Sequence, residues 1–269
     1  MAIQPHLRNV ESETDTANWV RPIGKSASPC AARLFCFPFA GGTASSFRDW
    51  ATNLPNGIEV FALQLPGRED RLKESNLTQM TALVQTLEHV MYPLFDRPFA
   101  FFGHSLGAWV AFELARSLQC RGTVLPSLLI TSGARAPHIT NRDPLIHTLP
   151  DREFINELKR LAGTPSAIFE EPELLALLLP QIRADFTLYE TYRYSDAPPL
   201  QTPIQVFWGS EDEDVTQTDA ESWSVQTVQS FGLHHFPGGH FFIDSAKHEV
   251  LATLSSCLDS HLSREPKST

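Results

Sequence analysis

Short unbroken apolar runs alternate along the chain with stretches in which apolar residues recur every three or four positions. Leu34-Phe35-Cys36-Phe37, Ile58-Glu59-Val60-Phe61-Ala62-Leu63, Pro98-Phe99-Ala100-Phe101-Phe102, Leu128-Leu129-Ile130-Thr131 and Ile204-Gln205-Val206-Phe207-Trp208 have the length and continuity of strands buried on both faces. Residues 228–236 form a further strand-like run. Met80, Leu83, Val84, Leu87, Val90, Met91 and Leu94 make one helical stripe, and Val110, Leu114 and Leu118 predict a helix over 107–119. A last helix is predicted over 243–262, with Ile243, Val250, Leu251 and Leu254 inward. Nearly all-apolar strands alternating with helices define an α/β protein: a mainly parallel sheet with helices on both faces. In such folds ligands sit outside the carboxyl ends of the strands, so chemistry is sought there.

Between Arg135 and Thr202 the alternation stops. Helical runs over 151–161 and 171–194 appear with no strand between them, and the leucine-rich run 174–179 ends at Pro180. This stretch predicts a helical lid insertion, about residues 136–200, lying over the edge of the sheet. Residues 1–30 are polar and without period, and read as a flexible N-terminal arm that Trp19 and Val20 tie to the body. Residues 31–265 then form a single domain.

Composition narrows the classes. The 269 residues carry a net charge of −10, which disfavours nucleic acid or an anionic membrane as partner. No apolar stretch approaches the roughly 18 residues of a membrane span. The start of the sequence has acids where a secretory leader needs an apolar core. The four cysteines are scattered without metal-ligand spacing, as in a reducing compartment. The expectation is a cytoplasmic monomer with no metal.

The strongest chemical signal is Gly103-His104-Ser105-Leu106-Gly107, a GxSxG sequence between a predicted strand and a predicted helix. A serine at such a tight turn projects its hydroxyl above the sheet, and the glycines allow the close backbone approach. Ser105 is the candidate nucleophile, and the Leu106 N–H at the helix start is a candidate oxyanion donor. In this architecture the acid and the histidine follow the serine in that order. Of ten histidines, His6, His89, His248 and His261 fall in the arm or on helices, His138 and His147 precede the acids, and His104 should point away from Ser105. His240, on the loop Pro237-Gly238-Gly239-His240, is the candidate base, with His235 as its rival. The acid should follow the strand ending at Trp208, in Gly209-Ser210-Glu211-Asp212-Glu213-Asp214. Asp212 is chosen, Asp214 is the alternative, and Glu211 lies too near the strand. The loop Phe39-Ala40-Gly41-Gly42 after the first strand is the source of the second oxyanion donor, the N–H of Ala40 before that of Phe39.

Taken together, FCFPFAGGTASSFRDW, LQLPGREDR, GHSLGA, SGARAPH, LPQIRADFTLYETYRY and FPGGHFFI resemble the type II thioesterases, stand-alone enzymes of the α/β-hydrolase fold that accompany polyketide synthases and non-ribosomal peptide synthetases. The likeness runs from about residue 33 to residue 260. It implies hydrolysis of acyl groups from the phosphopantetheine arm of acyl or peptidyl carrier proteins, an editing activity of secondary metabolism that needs no cofactor of the enzyme's own. It also implies nucleophile, base and oxyanion amides at Ser105, His240, Ala40 and Leu106. Where the family's acid follows a GGxxD pattern, this chain has Trp208 at the first glycine and keeps Asp212 in register.

In the lid, Phe154, Leu174, Leu175, Leu178, Phe169 and Phe186 are candidates to line an acyl groove, or else they pack the lid helices on each other. Arg68, Arg71 and Arg183 are either phosphate- or carrier-binding, or ordinary surface arginines. A carboxylesterase or lipase-like hydrolase of small esters would need the same three catalytic groups, whereas an inactive hydrolase fold serving as a binding module would lack one of them.

Overall fold

The computed structural model describes residues 16–24, 30–139, 144–161, 163–164 and 166–262. Seven strands form one sheet: β1 (Val20–Ile23), β2 (Ala32–Phe37), β3 (Ile58–Leu63), β4 (Phe99–His104), β5 (Leu128–Ser132), β6 (Ile204–Gly209) and β7 (Phe231–Phe236), in the order β1-β3-β2-β4-β5-β6-β7. All pairs are parallel except β1 with β3. The helices are α1 (Met80–Met91), α2 (Leu106–Cys120), α3 (Asp151–Leu161), α4 (Pro172–Thr191), α5 (Gln217–Glu221), α6 (Phe242–Ser245) and α7 (Lys247–Leu262).

The side-chain period of two explains why the strands read as continuous apolar runs. Phe35, Phe37, Phe99 and Phe101 point to one face and pack with α1 and α2. Leu34, Cys36, Ala100 and Phe102 point to the other and pack with α7. Both faces are covered, so residues 34–37 and 99–102 are apolar without a break. Chain order reverses beside β2, with β3 on one side and β4 on the other. The carboxyl ends of β2 and β4 therefore flank the crevice where a ligand site is expected.

Two expectations are corrected. Within the stretch read as an arm, Val20–Ile23 is the antiparallel edge strand β1, with Trp19 and Val20 buried; residues 1–15 and 25–29 lie outside the described residues. Its Arg21 and Pro22 hide it from a hydrophobic pattern, and an edge is where a strand tolerates proline. The helical run predicted over 171–194 is α4, which continues through Pro180 and ends at Thr191. The predicted last helix is two, α6 and α7, separated by Ala246.

The insertion between β5 and β6 carries α3 and α4 and has its own small core of Ile146, Phe154, Leu158, Leu179 and Ile182. It lies against the loops at the carboxyl ends of the strands: Ile182 packs on Gly41, where an added Cβ would stand 3.3 Å from Ile182 Cγ1.

Candidate active site

Ser105 sits between β4 and α2 at φ 54°, ψ −120°, a left-handed backbone conformation that costs an ordinary residue on the order of 1–3 kcal/mol. The turn is held by the Ser105 N–H donating to Ser132 O at 2.8 Å and the Ala108 N–H donating to Ser105 O at 3.0 Å. Its tightness accounts for both glycines. A Cβ on Gly103 would meet Gly107 O at 2.2 Å, and one on Gly107 would meet Phe37 O at 2.1 Å.

His240 lies on the loop between β7 and α6, and its Nδ1 donates to Asp212 Oδ2 at 2.9 Å. The Asp212 side chain is fully buried. Its other oxygen accepts the backbone N–H groups of Asp214 at 3.0 Å and Val215 at 3.2 Å. Trp208, the departure from the glycine pattern, closes this loop: its indole N–H donates to Val215 O at 2.6 Å. Glu211 is exposed. Asp214 contributes its backbone N–H to Asp212, while its carboxylate faces Arg160 at 3.8 Å. His235 stacks edge-on against Trp208 instead.

Ser105, His240, Ala40 and Leu106 line one cleft, together with Phe39, Trp109, Ile146, Leu158, Leu161, Ile182, Phe186, Tyr189 and Val215. The wall is mainly apolar, with Arg135, Arg160, Glu190 and Asp214 also lining it, and the lid supplies much of it. Among the described residues the Ala40 and Leu106 N–H groups make no hydrogen bond, and both residues line the cleft with Ser105. The arrangement suits a hydroxyl nucleophile, an oriented imidazole base and a two-amide oxyanion site.

His104 is fully buried behind this group, with Nδ1 2.9 Å from Ser132 Oγ and its ring 5.3 Å from that of His240. Burial, and secondarily the neighbouring His240, push its pKa well below the ordinary histidine value. It stays neutral and does not compete for the proton. Asp212, Asp214 and His240 also bring ligand-type atoms within 4.8 Å of one another, a spacing that fits a cation. Both Asp212 oxygens, however, are already engaged by N–H donors, and a metal on Nδ1 would displace the imidazole's partner.

Of the lid residues considered for acyl binding, Phe186 lines the cleft. Phe154 is fully buried in the lid core, edge-on to Phe186 and beneath the Arg183 guanidinium. Leu174 is 41% exposed on the outer surface. Leu175, Leu178 and Phe169 pack against the lid core and are not part of the cleft wall. The wall residues the sequence did not reveal include Ile146, whose N–H is held by buried Glu190 at 2.9 Å. The three arginines are structural. Arg68 pairs with Asp185; Arg71 bonds Glu74 and Gln64 O and covers Trp19; Arg183 bonds His147 O, Leu149 O and Asp151.

The parallel sheet, the strained strand-to-helix turn and the helical lid define a protein of the α/β-hydrolase fold. The thioesterase domain family model matches residues 32–258. The chain is 42% identical over 224 residues to the gramicidin S biosynthesis protein GrsT of Aneurinibacillus migulanus, covering 83% of this chain and 88% of that one. It is 37% identical over 245 residues to thioesterase PikA5 of Streptomyces venezuelae, covering 91% and 86%. Among solved structures, the type II thioesterase BorB from the borrelidin biosynthetic cluster superposes with a TM-score of 0.82 at 37% identity, covering 91% of this chain and 97% of that one. The chain belongs to the thioesterase family and is a hydrolase acting on thioesters.

Proposed function

We propose that this protein is an editing thioesterase that removes acyl groups from the phosphopantetheine arm of acyl or peptidyl carrier proteins in a polyketide or non-ribosomal peptide synthase system. The observation that carries the reading is the convergence on one lid-covered apolar cleft of Ser105, the His240–Asp212 pair and the free amides of Ala40 and Leu106. The relatives' association with gramicidin S biosynthesis and the borrelidin cluster supports the substrate class.

Ser105 Oγ attacks the thioester carbonyl carbon as His240 Nε2 accepts its proton, and Asp212 stabilises the imidazolium through Nδ1. The carbonyl electron pair moves onto oxygen, which the Ala40 and Leu106 N–H groups receive. Each such donor is worth about 3 kcal/mol of transition-state stabilisation. Collapse expels the pantetheine sulfur, which takes the proton from His240. A thiol with pKa near ~8.5 is a good leaving group, so little acid assistance is needed. Water then donates its proton to His240 and attacks the acyl-serine, releasing the acid and restoring Ser105. The acyl chain lies along Ile146, Leu158, Leu161, Ile182 and Phe186. No metal or cofactor takes part, because the chain's own groups supply nucleophile, base and electrophile. The enzyme acts as a monomer in the cytoplasm, the location being in keeping with four free cysteines.

The test is to load one carrier protein with a panel of acyl chains and follow deacylation by mass spectrometry, alongside hydrolysis of a simple aryl ester. Carrier-bound thioesters should be cleaved with higher kcat/KM than the free ester; the reverse order would favour a general esterase.

A further inference from the structure

Two segments that mark the sequence most specifically, Pro66-Gly67-Arg68-Glu69 and Arg183-Ala184-Asp185, have no part in the triad. The fold brings them together beneath the oxyanion loop. Arg68 and Asp185 are each 2% exposed and form a two-pronged ion pair, Nη1 to Oδ2 at 3.1 Å and Nη2 to Oδ1. Asp185 Oδ2 also accepts the Gly41 N–H at 2.7 Å, and Arg68 Nη1 also donates to Gly42 O at 3.2 Å. The Gly42 N–H in turn donates to Phe39 O at 2.8 Å.

These bonds bear on one peptide plane. The Phe39 carbonyl and the Ala40 N–H belong to the same planar unit, so fixing one fixes the direction of the other. Gly42 holds that carbonyl, and the Arg68–Asp185 pair holds Gly41 and Gly42. Gly41 has φ +79°, so the loop turns at a residue without a side chain to wedge it, and outside tethers must set its shape. One tether comes from the lid: Asp185 lies on α4 between Ile182 and Phe186, which line the acyl cleft.

We propose that Arg68 and Asp185 are positioning residues that aim the Ala40 N–H at the developing oxyanion, anchoring the oxyanion loop to the lid helix. The inference rests on the reading of Ser105 as nucleophile and Ala40 as oxyanion donor. A pair that only stabilises the fold would lower thermal stability and leave transition-state and ground-state binding in their original ratio.

The experiment compares an acyl-pantetheine trifluoromethyl ketone with the matching thioether. The Ser105 oxygen adds to the ketone carbon and His240 takes the proton, leaving an alkoxide at the oxyanion site; the thioether binds without reacting. Wild type, Asp185→Asn and the double variant Arg68→Met/Asp185→Leu are measured, the last because it leaves no unpaired buried charge if the single variant fails to fold. The ketone should bind the variants at least about 30-fold more weakly, with thioether affinity within threefold of wild type and kcat falling with KM unchanged. Equal loss for both ligands, or no loss for either, overturns the inference while the ketone adduct on wild-type Ser105 leaves the catalytic reading standing. A wild type that forms no adduct at Ser105 overturns both.

Discussion

Asp212 holds the His240 imidazole at 2.9 Å with one carboxylate oxygen while the backbone N–H groups of Asp214 and Val215 hold the other. This fixes the imidazole with Nδ1 protonated and Nε2 free to accept. Asp212→Asn presents an amide that favours the wrong tautomer, and kcat should fall on the order of 10³–10⁴-fold with little change in KM. Asp214→Asn keeps the backbone N–H that Asp212 uses and should stay within about threefold of wild type. Steady-state kinetics of both variants distinguishes the two acids that the sequence left open.

The Ser105 backbone predicts a conflict between stability and activity. At φ 54° a glycine relieves strain that an alanine retains. Ser105→Gly should be more stable to urea than Ser105→Ala by about 1 kcal/mol, and both should be inactive. Equilibrium unfolding of the two variants gives the difference directly.

The lid separates residues that bind from residues that pack. Phe154→Ala empties a filled site and should cost about 3–5 kcal/mol in stability. Phe186→Ala should lower kcat/KM for medium-length acyl chains about tenfold and leave acetyl within threefold. Leu174→Ala, on the outer surface, should change neither. Denaturant melts and an acyl-chain series read these effects.

Buried His104 makes the fold sensitive to acid. Its pKa is depressed in the folded state, so below the unfolded value of about 6.5 the unfolded chain binds a proton that the folded chain does not. Stability is therefore retained above that pH and lost below it, with a slope of up to about 1.4 kcal/mol per pH unit for one such group. His234, depressed mainly by burial, acts in the same direction. His104→Asn, whose side-chain oxygen still reaches Ser132, should flatten the fall in Tm between pH 7 and pH 5. An unchanged slope would mean that this imidazole is not the acid-sensitive group.

The sequence made the sheet and the candidate catalytic groups legible for a physical reason. Strands covered on both faces are apolar along most of their length, and a nucleophile turn needs glycine on either side, so residues 99–102 and Gly103 to Gly107 announce themselves. His240 and Asp212 follow from the order of loops after the strands. Hydrophobic pattern does not tell which side of a doubly apolar helix faces a ligand, so the lid candidates stayed open between lining a groove and packing the helices. Leu174, Leu175 and Leu178 belong to the outside or the lid core, whereas Ile182 and Phe186, one turn further on, face the cleft. Ile146 stands on a loop with no period at all and is brought in by Glu190, 44 positions away. Arg68 reads as a phosphate- or carrier-binding or an ordinary surface arginine because the sequence does not reveal that Asp185 pairs with it in the interior.

The central claim is that Ser105 is the nucleophile activated by the His240–Asp212 pair. Reaction with a fluorophosphonate, followed by peptide mass spectrometry, tests it most directly. One phosphonyl group should appear on Ser105, be absent from Ser105→Ala, and form at least about 100-fold more slowly in His240→Ala. An unlabelled wild type, an adduct on another residue, or undiminished labelling without His240 would contradict the account.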